Sequence, residues 1–133
     1  MMNANSLAQG EAFQAPLPFE LSVADRDDLL LARVSGPLDV QYAPAFMERV
    51  EALCEAGRRV VIDLRAAEYV DSAGVRALLH LEERLAAHRE ELRLIVQPGS
   101  RVERVLTLLR LTDRFRIHRS SSEAADSREA AIE

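Results

Sequence analysis

Ser72 stands in Asp71-Ser72-Ala73-Gly74, behind a β-branched run, Val60-Val61-Ile62-Asp63-Leu64, and ahead of a leucine-rich helical pattern. That order puts one hydroxyl at a strand-to-helix junction. The first turn of a helix leaves backbone N–H groups unpaired and carries the positive end of the macrodipole, so a hydroxyl or a phosphate there is electrostatically favoured. Ser72 is therefore a candidate switch residue. The same residues also fit a plain helix cap, in which Asp or Ser accepts from a backbone N–H one turn on and contributes about 1 kcal/mol. A full capping box is absent, since Val75 follows Ser72 by three positions and Gly74 follows Asp71 by three.

Other chemistry finds little support. Neither Gly-x-Gly-x-x-Gly nor Gly-x-x-x-x-Gly-Lys-Ser/Thr occurs, and no Gly-x-Ser-x-Gly elbow surrounds Ser72. His80 or His118 could still serve as a base by position alone, yet the chain reads as a non-enzyme. The three histidines, His80, His88 and His118, lack His-x-x-x-His spacing, and Cys54 is the only cysteine. No metal, no cofactor and no internal disulfide are expected. Cys54 lies four residues beyond Val50, on the same helical stripe, and reads as a small core residue.

The elements that would position Ser72 follow from periodicity. Residues 19–24 alternate apolar and polar, Asp25-Arg26-Asp27-Asp28 is a turn, and Leu29 to Ser35 is apolar again, which predicts a β-hairpin. Pro44 opens a helix to about Ala56, with Gly57 as its stop, and Val60 to Leu64 is a strand. A helix from Ser72 to His88 follows, then a strand over 92–97. Ser100-Arg101-Val102-Glu103 has capping-box spacing and opens a helix over 100–110, with Val102, Val105, Leu106 and Leu109 on one face. Residues 116–119 add a short strand. Within the second helix Leu79 and Leu81 point about 200° apart, so one of them lies at an edge or outside the buried stripe.

Two strand-helix-strand passages require parallel pairing, and the opening hairpin makes the sheet mixed. The fold class is α/β, a single domain with a mixed sheet of four to five strands and three to four helices. The boundaries fall at 1–17 for a flexible tail, 18–119 for the domain, and 120–133 for a flexible or frayed helical tail. The 133 residues suit one core, and the net charge of −5 with arginine as the only basic residue argues against a nucleic-acid partner. No apolar run approaches a membrane span, and Met1 to Pro18 lacks a basic start and an apolar h-region, so a cytoplasmic location without membrane insertion is expected.

From about Pro18 to Arg119 the chain resembles the STAS domain family of the bacterial anti-sigma factor antagonists. The resemblance rests on Asp71-Ser72-Ala73-Gly74 together with Ser35-Gly36-Pro37-Leu38-Asp39, Val61-Ile62-Asp63-Leu64 and Leu94-Ile95-Val96 followed by Pro98, in the family's order. It implies that the chain binds an anti-sigma factor, a serine kinase that also holds a sigma factor, and so releases the sigma factor. Phosphorylation of Ser72 by that kinase would end the interaction. The implied partner-binding residues are Leu38, Asp39, Asp71, Ser72, Ala73, Gly74, Val75 and Arg76; the resemblance leaves a phosphatase and a homodimer open.

Three positions depart from the family pattern. Ala73 replaces a second serine, Pro37 stands where Glu is common, and Arg110 stands near a helix end where Gly is common. Two alternative roles fit the same resemblance: a STAS subunit of a lipid-transport ABC complex, and a scaffold component of a stress-sensing assembly.

Overall fold

The structure is a computed structural model and describes residues 19–26, 29–54 and 59–125. Strand β1 (Glu20–Arg26) pairs antiparallel with β2 (Leu29–Leu38), with Glu20 opposite Ser35 and Arg26 opposite Leu29. Helix α1 (Ala43–Cys54) leads to β3 (Arg59–Val70), then α2 (Ser72–Ala87), β4 (Leu92–Ile95), α3 (Arg101–Leu108) and β5 (Arg116–His118). A fourth helical segment covers residues 121–125. The sheet order is β1-β2-β3-β4-β5, antiparallel at β1–β2 and parallel at every other pair. This is the single α/β domain with a mixed sheet that the period-2 and period-3.6 segments predict. Of the expected turn, Asp25 and Arg26 instead extend β1, paired with Leu30 and Leu29, while Asp27 and Asp28, the helix stop at Gly57 and the first seventeen residues lie outside the described residues.

Two strands run further than their apolar patterns. β3 continues six residues past Leu64 to Val70, and β2 continues past Ser35 to Leu38. Arg65, Ala66 and Glu68 are exposed, so side-chain burial does not mark the extension. Backbone pairing carries it instead, from Ser35 beside Ala66 to Leu38 beside Val70. Register shifts between Arg33 and Ser35 and between Gly36 and Pro37 let the strands stay paired, and Gly36 supplies the left-handed φ of 81° that this requires. The extension brings Asp39 and Asp71 to adjacent strand ends.

The larger core lies between the sheet and helices α1, α2 and α3, around Leu30, Phe46, Ile62, Leu78, Leu81 and Leu106. Cys54 belongs to it, and burial pushes its thiol up to about 11. Of the two diverging leucines, Leu81 is fully buried and Leu79 packs half-buried at the core's edge. Leu109, expected on the apolar face of α3, is 52% exposed, because the helix ends at Leu108 and the chain turns there.

Both α2 and α3 end the same way. Glu90 N donates to Leu85 O and Arg89 N to Ala86 O; Leu111 N donates to Leu106 O and Arg110 N to Thr107 O. These are the paired bonds of a Schellman motif, whose left-handed residue is here Arg89 (φ 62°) and Arg110 (φ 58°). At the second site, where the resemblance makes glycine the common residue, an arginine takes up a strained conformation.

The sheet's other face holds a smaller cluster of Leu29, Val61, Ile95 and Ala124. Ser120 Oγ accepts from Glu123 N at 3.1 Å and Glu123 Oε1 accepts from Arg119 N at 2.8 Å, a serine cap reinforced by the glutamate on the N–H one residue before it, which starts the last helical segment and sets Ala124 onto the sheet. Asp63 faces the same side and is almost fully buried; it accepts from Arg65 Nε at 3.0 Å, Arg65 Nη2 at 2.8 Å and Arg33 Nε at 3.3 Å. Burial pushes this carboxyl up, but the Arg65 bonds and the two guanidinium charges outweigh it and leave it below the ordinary carboxylate value. Among the described residues no helix is long and apolar enough to cross a membrane.

Candidate functional site

The site grows from the carboxyl ends of two neighbouring parallel strands. β2 ends at Leu38 and β3 at Val70, which pair with one another, so the next residues, Asp39 and Asp71, begin two adjoining loops. Each aspartate ties its own loop down. Asp71 is the N-cap of α2: its Oδ1 accepts from Gly74 N at 3.0 Å, and its Oδ2 reaches across to accept from Val40 N at 3.1 Å. Asp39 Oδ1 accepts from Gln41 N at 3.0 Å, and Oδ2 accepts from the Tyr69 hydroxyl at 3.0 Å. The hydrogen bond to Asp39 holds the Tyr69 phenol above its usual value, with the neighbouring carboxylates adding to it. Arg101, at the start of α3, lies over the Tyr69 ring at 5.3 Å, a cation–π contact.

Since Asp71 performs the capping, Ser72 is relieved of it. Ser72 is the first residue of α2 and is exposed, and its hydroxyl has no hydrogen-bond partner among the described residues. Gly74 explains how the helix can start so close to β2. A Cβ at this position would overlap the Leu38 carbonyl oxygen and lie 3.2 Å from Leu38 Cγ, so only glycine permits this approach.

Of the eight expected partner-binding residues, the structure gathers all at one end of the sheet but gives them different places. Ser72 and Arg76 are exposed, Asp39, Asp71 and Ala73 are half-buried, and Leu38, Gly74 and Val75 are buried beneath them. The buried three shape the loop and helix start, leaving the others to face outward.

Beside Ser72, an open groove of about 430 Å³ runs between α1 and α2, lined by Val40, Ala43, Pro44, Met47, Glu51, Ala73, Arg76, Ala77 and His80. Val40 is 71% exposed, a large apolar side chain held out by the bond from its N–H to Asp71. At the far end His80 Nε2 lies 3.0 Å from Glu51 Oε2, which Arg84 also approaches. Sequence reasoning missed Val40, Met47, Tyr69 and Arg101. Met47 was within reach, because it borders the Ala43, Phe46, Val50 and Cys54 stripe of α1; the other three carry no spacing signal. Among the described residues no group of three or more His, Cys, Asp or Glu side chains could hold a metal ion.

A paired strand end, an aspartate cap and an exposed serine on the following helix are features of an α/β domain of the STAS type. Residues 20–124 match the STAS domain, and the chain belongs to that family. Among solved structures, it is similar to an anti-sigma factor antagonist from Mycobacterium paratuberculosis at 25% identity and a TM-score of 0.76, over 86% of this chain and 97% of that one. A serine-to-glutamate form of RsbS from Moorella thermoacetica aligns at 22% identity and a TM-score of 0.70, over 84% and 97% of the two chains. The Bacillus cell fate determinant SpoIIAA in its phosphorylated form aligns at 19% identity and a TM-score of 0.58, over 83% and 98%. The last two share the fold.

Proposed function

We propose that this chain is an anti-sigma factor antagonist that binds an anti-sigma factor of the serine kinase type and frees a sigma factor, and that phosphorylation of Ser72 ends the complex. One observation carries the reading: Ser72 is exposed at the start of α2 while Asp71 alone serves as the cap, so its hydroxyl is open to modification. The likeness to the Mycobacterium paratuberculosis antagonist, over nearly all of that chain's length, supports the class of partner. The docking face comprises Asp39, Val40, Ser72, Ala73 and Arg76 with the adjoining α1–α2 groove, whose apolar lining a partner would cover. The reading places the chain in the cytoplasm with the kinase, acting by binding and not by catalysis.

The switch is electrostatic. A phosphate adds about −1.5 to −2 charges at Ser72. In the free domain the helix N-terminus receives an anion well, with a gain of roughly 0.3 to 1 kcal/mol. Inside a close-packed complex the same charge must lose its water beside Asp39 and Asp71, at a cost of several kcal/mol, and each 1.4 kcal/mol is about tenfold in affinity. Phosphorylation therefore leaves the domain folded and weakens the complex by about two orders of magnitude or more.

Incubation with the cognate kinase and ATP, followed by mass spectrometry, tests the acceptor: phosphate on Ser72 and constitutive binding by Ser72→Ala are expected. Phosphate on another residue, or none, refutes the switch. Co-purification with an ABC ATPase in place of a kinase would move the chain to the lipid-transport role.

A further inference from the structure

Ser72 and Arg76 stand four residues apart on α2, both exposed, so their side chains share one helix face a turn apart. Arg76 also lines the α1–α2 groove together with Val40, Met47 and Ala73. The other cations around the site have partners. Arg84 approaches Glu51 at 3.7 Å, Arg101 lies over Tyr69, and Arg114 Nε contacts Glu82 at 2.8 Å. Arg76 makes no ion pair with any described residue. The Asp71 carboxylate, the nearest anion along the chain, is already used by the N–H groups of Gly74 and Val40.

We propose that Arg76 is the residue through which a phosphate on Ser72 acts on the groove: its guanidinium pairs with the phosphate one turn back and leaves the groove's rim. The inference rests on Ser72 as the modified residue. A guanidinium presents a planar fork of donors that matches two phosphate oxygens, and the i,i+4 spacing lets that fork reach without moving the backbone. Before modification the same guanidinium stands on the rim of an apolar groove, where it suits a partner's carboxylate flanking an apolar side chain. Modification of Ser72 then changes two things at once: it adds negative charge to the docking face and removes the one cation of that rim without an ion pair among the described residues. Arg76 is thus a positioning residue for the switch.

The test uses the full chain carrying phosphoserine at position 72, installed by suppression during translation so that no kinase is needed. Titration followed by ³¹P NMR reads the phosphate's second ionisation, ordinarily near pH 6. At low salt that midpoint is expected to lie about 0.2 to 0.4 unit higher in Arg76→Gln than in the parent chain, with Arg76→Lys between them. The difference should vanish at about 1 M salt, where charges are screened over about 3 Å. Methyl signals of Val40 and Met47 are expected to move on phosphorylation in the parent chain and to stay in place in Arg76→Gln. Equal midpoints in the parent and Arg76→Gln overturn the inference, as do methyl shifts that persist without the arginine. Failure of the kinase to modify Ser72 would show in the phosphorylation assay and leave this titration untouched.

Discussion

Replacing Gly74 by alanine sets two effects of opposite sign against each other. Helix propensity alone favours alanine by about 0.8 to 1.0 kcal/mol. Space opposes it. The new methyl would overlap the Leu38 carbonyl oxygen and sit 3.2 Å from both Leu38 C and Leu38 Cγ, and a backbone oxygen cannot rotate away as a side chain can. The start of α2 must then back off from β2. Overpacking of this kind costs about 1 to 3 kcal/mol, and displacing the Asp71 bond to Gly74 N removes a cap of about 1 kcal/mol. The net is a loss of about 1 to 3 kcal/mol, which lowers the melting temperature by roughly 3 to 15 °C for a domain of this size. Urea melts should show a lower midpoint at unchanged slope. The informative comparison is Gly99→Ala, where nothing lies within 4 Å of the added methyl and only the φ of +80° opposes it; its cost should stay near about 1 kcal/mol. A Gly74→Ala chain as stable as the parent, or more so, would refute the close-approach argument.

Three further outcomes are expected. Arg89→Gly and Arg110→Gly should each raise stability by up to about 1 kcal/mol, read as a higher melting temperature, because each arginine occupies a left-handed conformation that glycine adopts without steric cost. Asp63→Asn should cost about 1.5 kcal/mol at pH 7, towards the lower end for a charged hydrogen bond since Arg33 and Arg65 are partly solvated. The folded carboxyl is lowered, so its contribution is present above the ordinary value of 3.8 and is lost as pH falls below it; stability of Asp63→Asn should change less between pH 5 and 3. Cys54, buried and with its thiol raised to about 11, should react with a thiol reagent at pH 8 only on the timescale of unfolding, and rapid labelling of the native chain would contradict its place in the core.

The identity of the elements was legible in the chain because each has a local cause. The alternation over 19–24, the stripe from Phe46 through Val50 to Cys54, the serine and glutamate that cap α3 and the strand-to-helix change at Ser72 all act within a few residues of one another. The second Ser-x-x-Glu cap, Ser120 with Glu123, was equally local and could have been found by the same spacing. The left-handed ends at Arg89 and Arg110 were not, since arginine is an unusual residue for that conformation and its type gives no signal of it.

What the sequence determined by itself was a serine at the start of a helix, in a motif of one family, on an α/β framework. Whether Asp71 or Ser72 caps that helix is decided by Asp71 Oδ1 accepting from Gly74 N, and the place of that cap beside the neighbouring loop is set by the pairing of Leu38 with Val70. That pairing brings Val40 N to Asp71 across 31 positions of chain and the Tyr69 hydroxyl to Asp39 across 30. The groove has the same origin, because Met47 and Arg76 belong to helices that meet only when both pack on one sheet face. Periodicity reports which side of an element is buried; contacts between distant elements are set by strand register and helix packing, which no local spacing encodes.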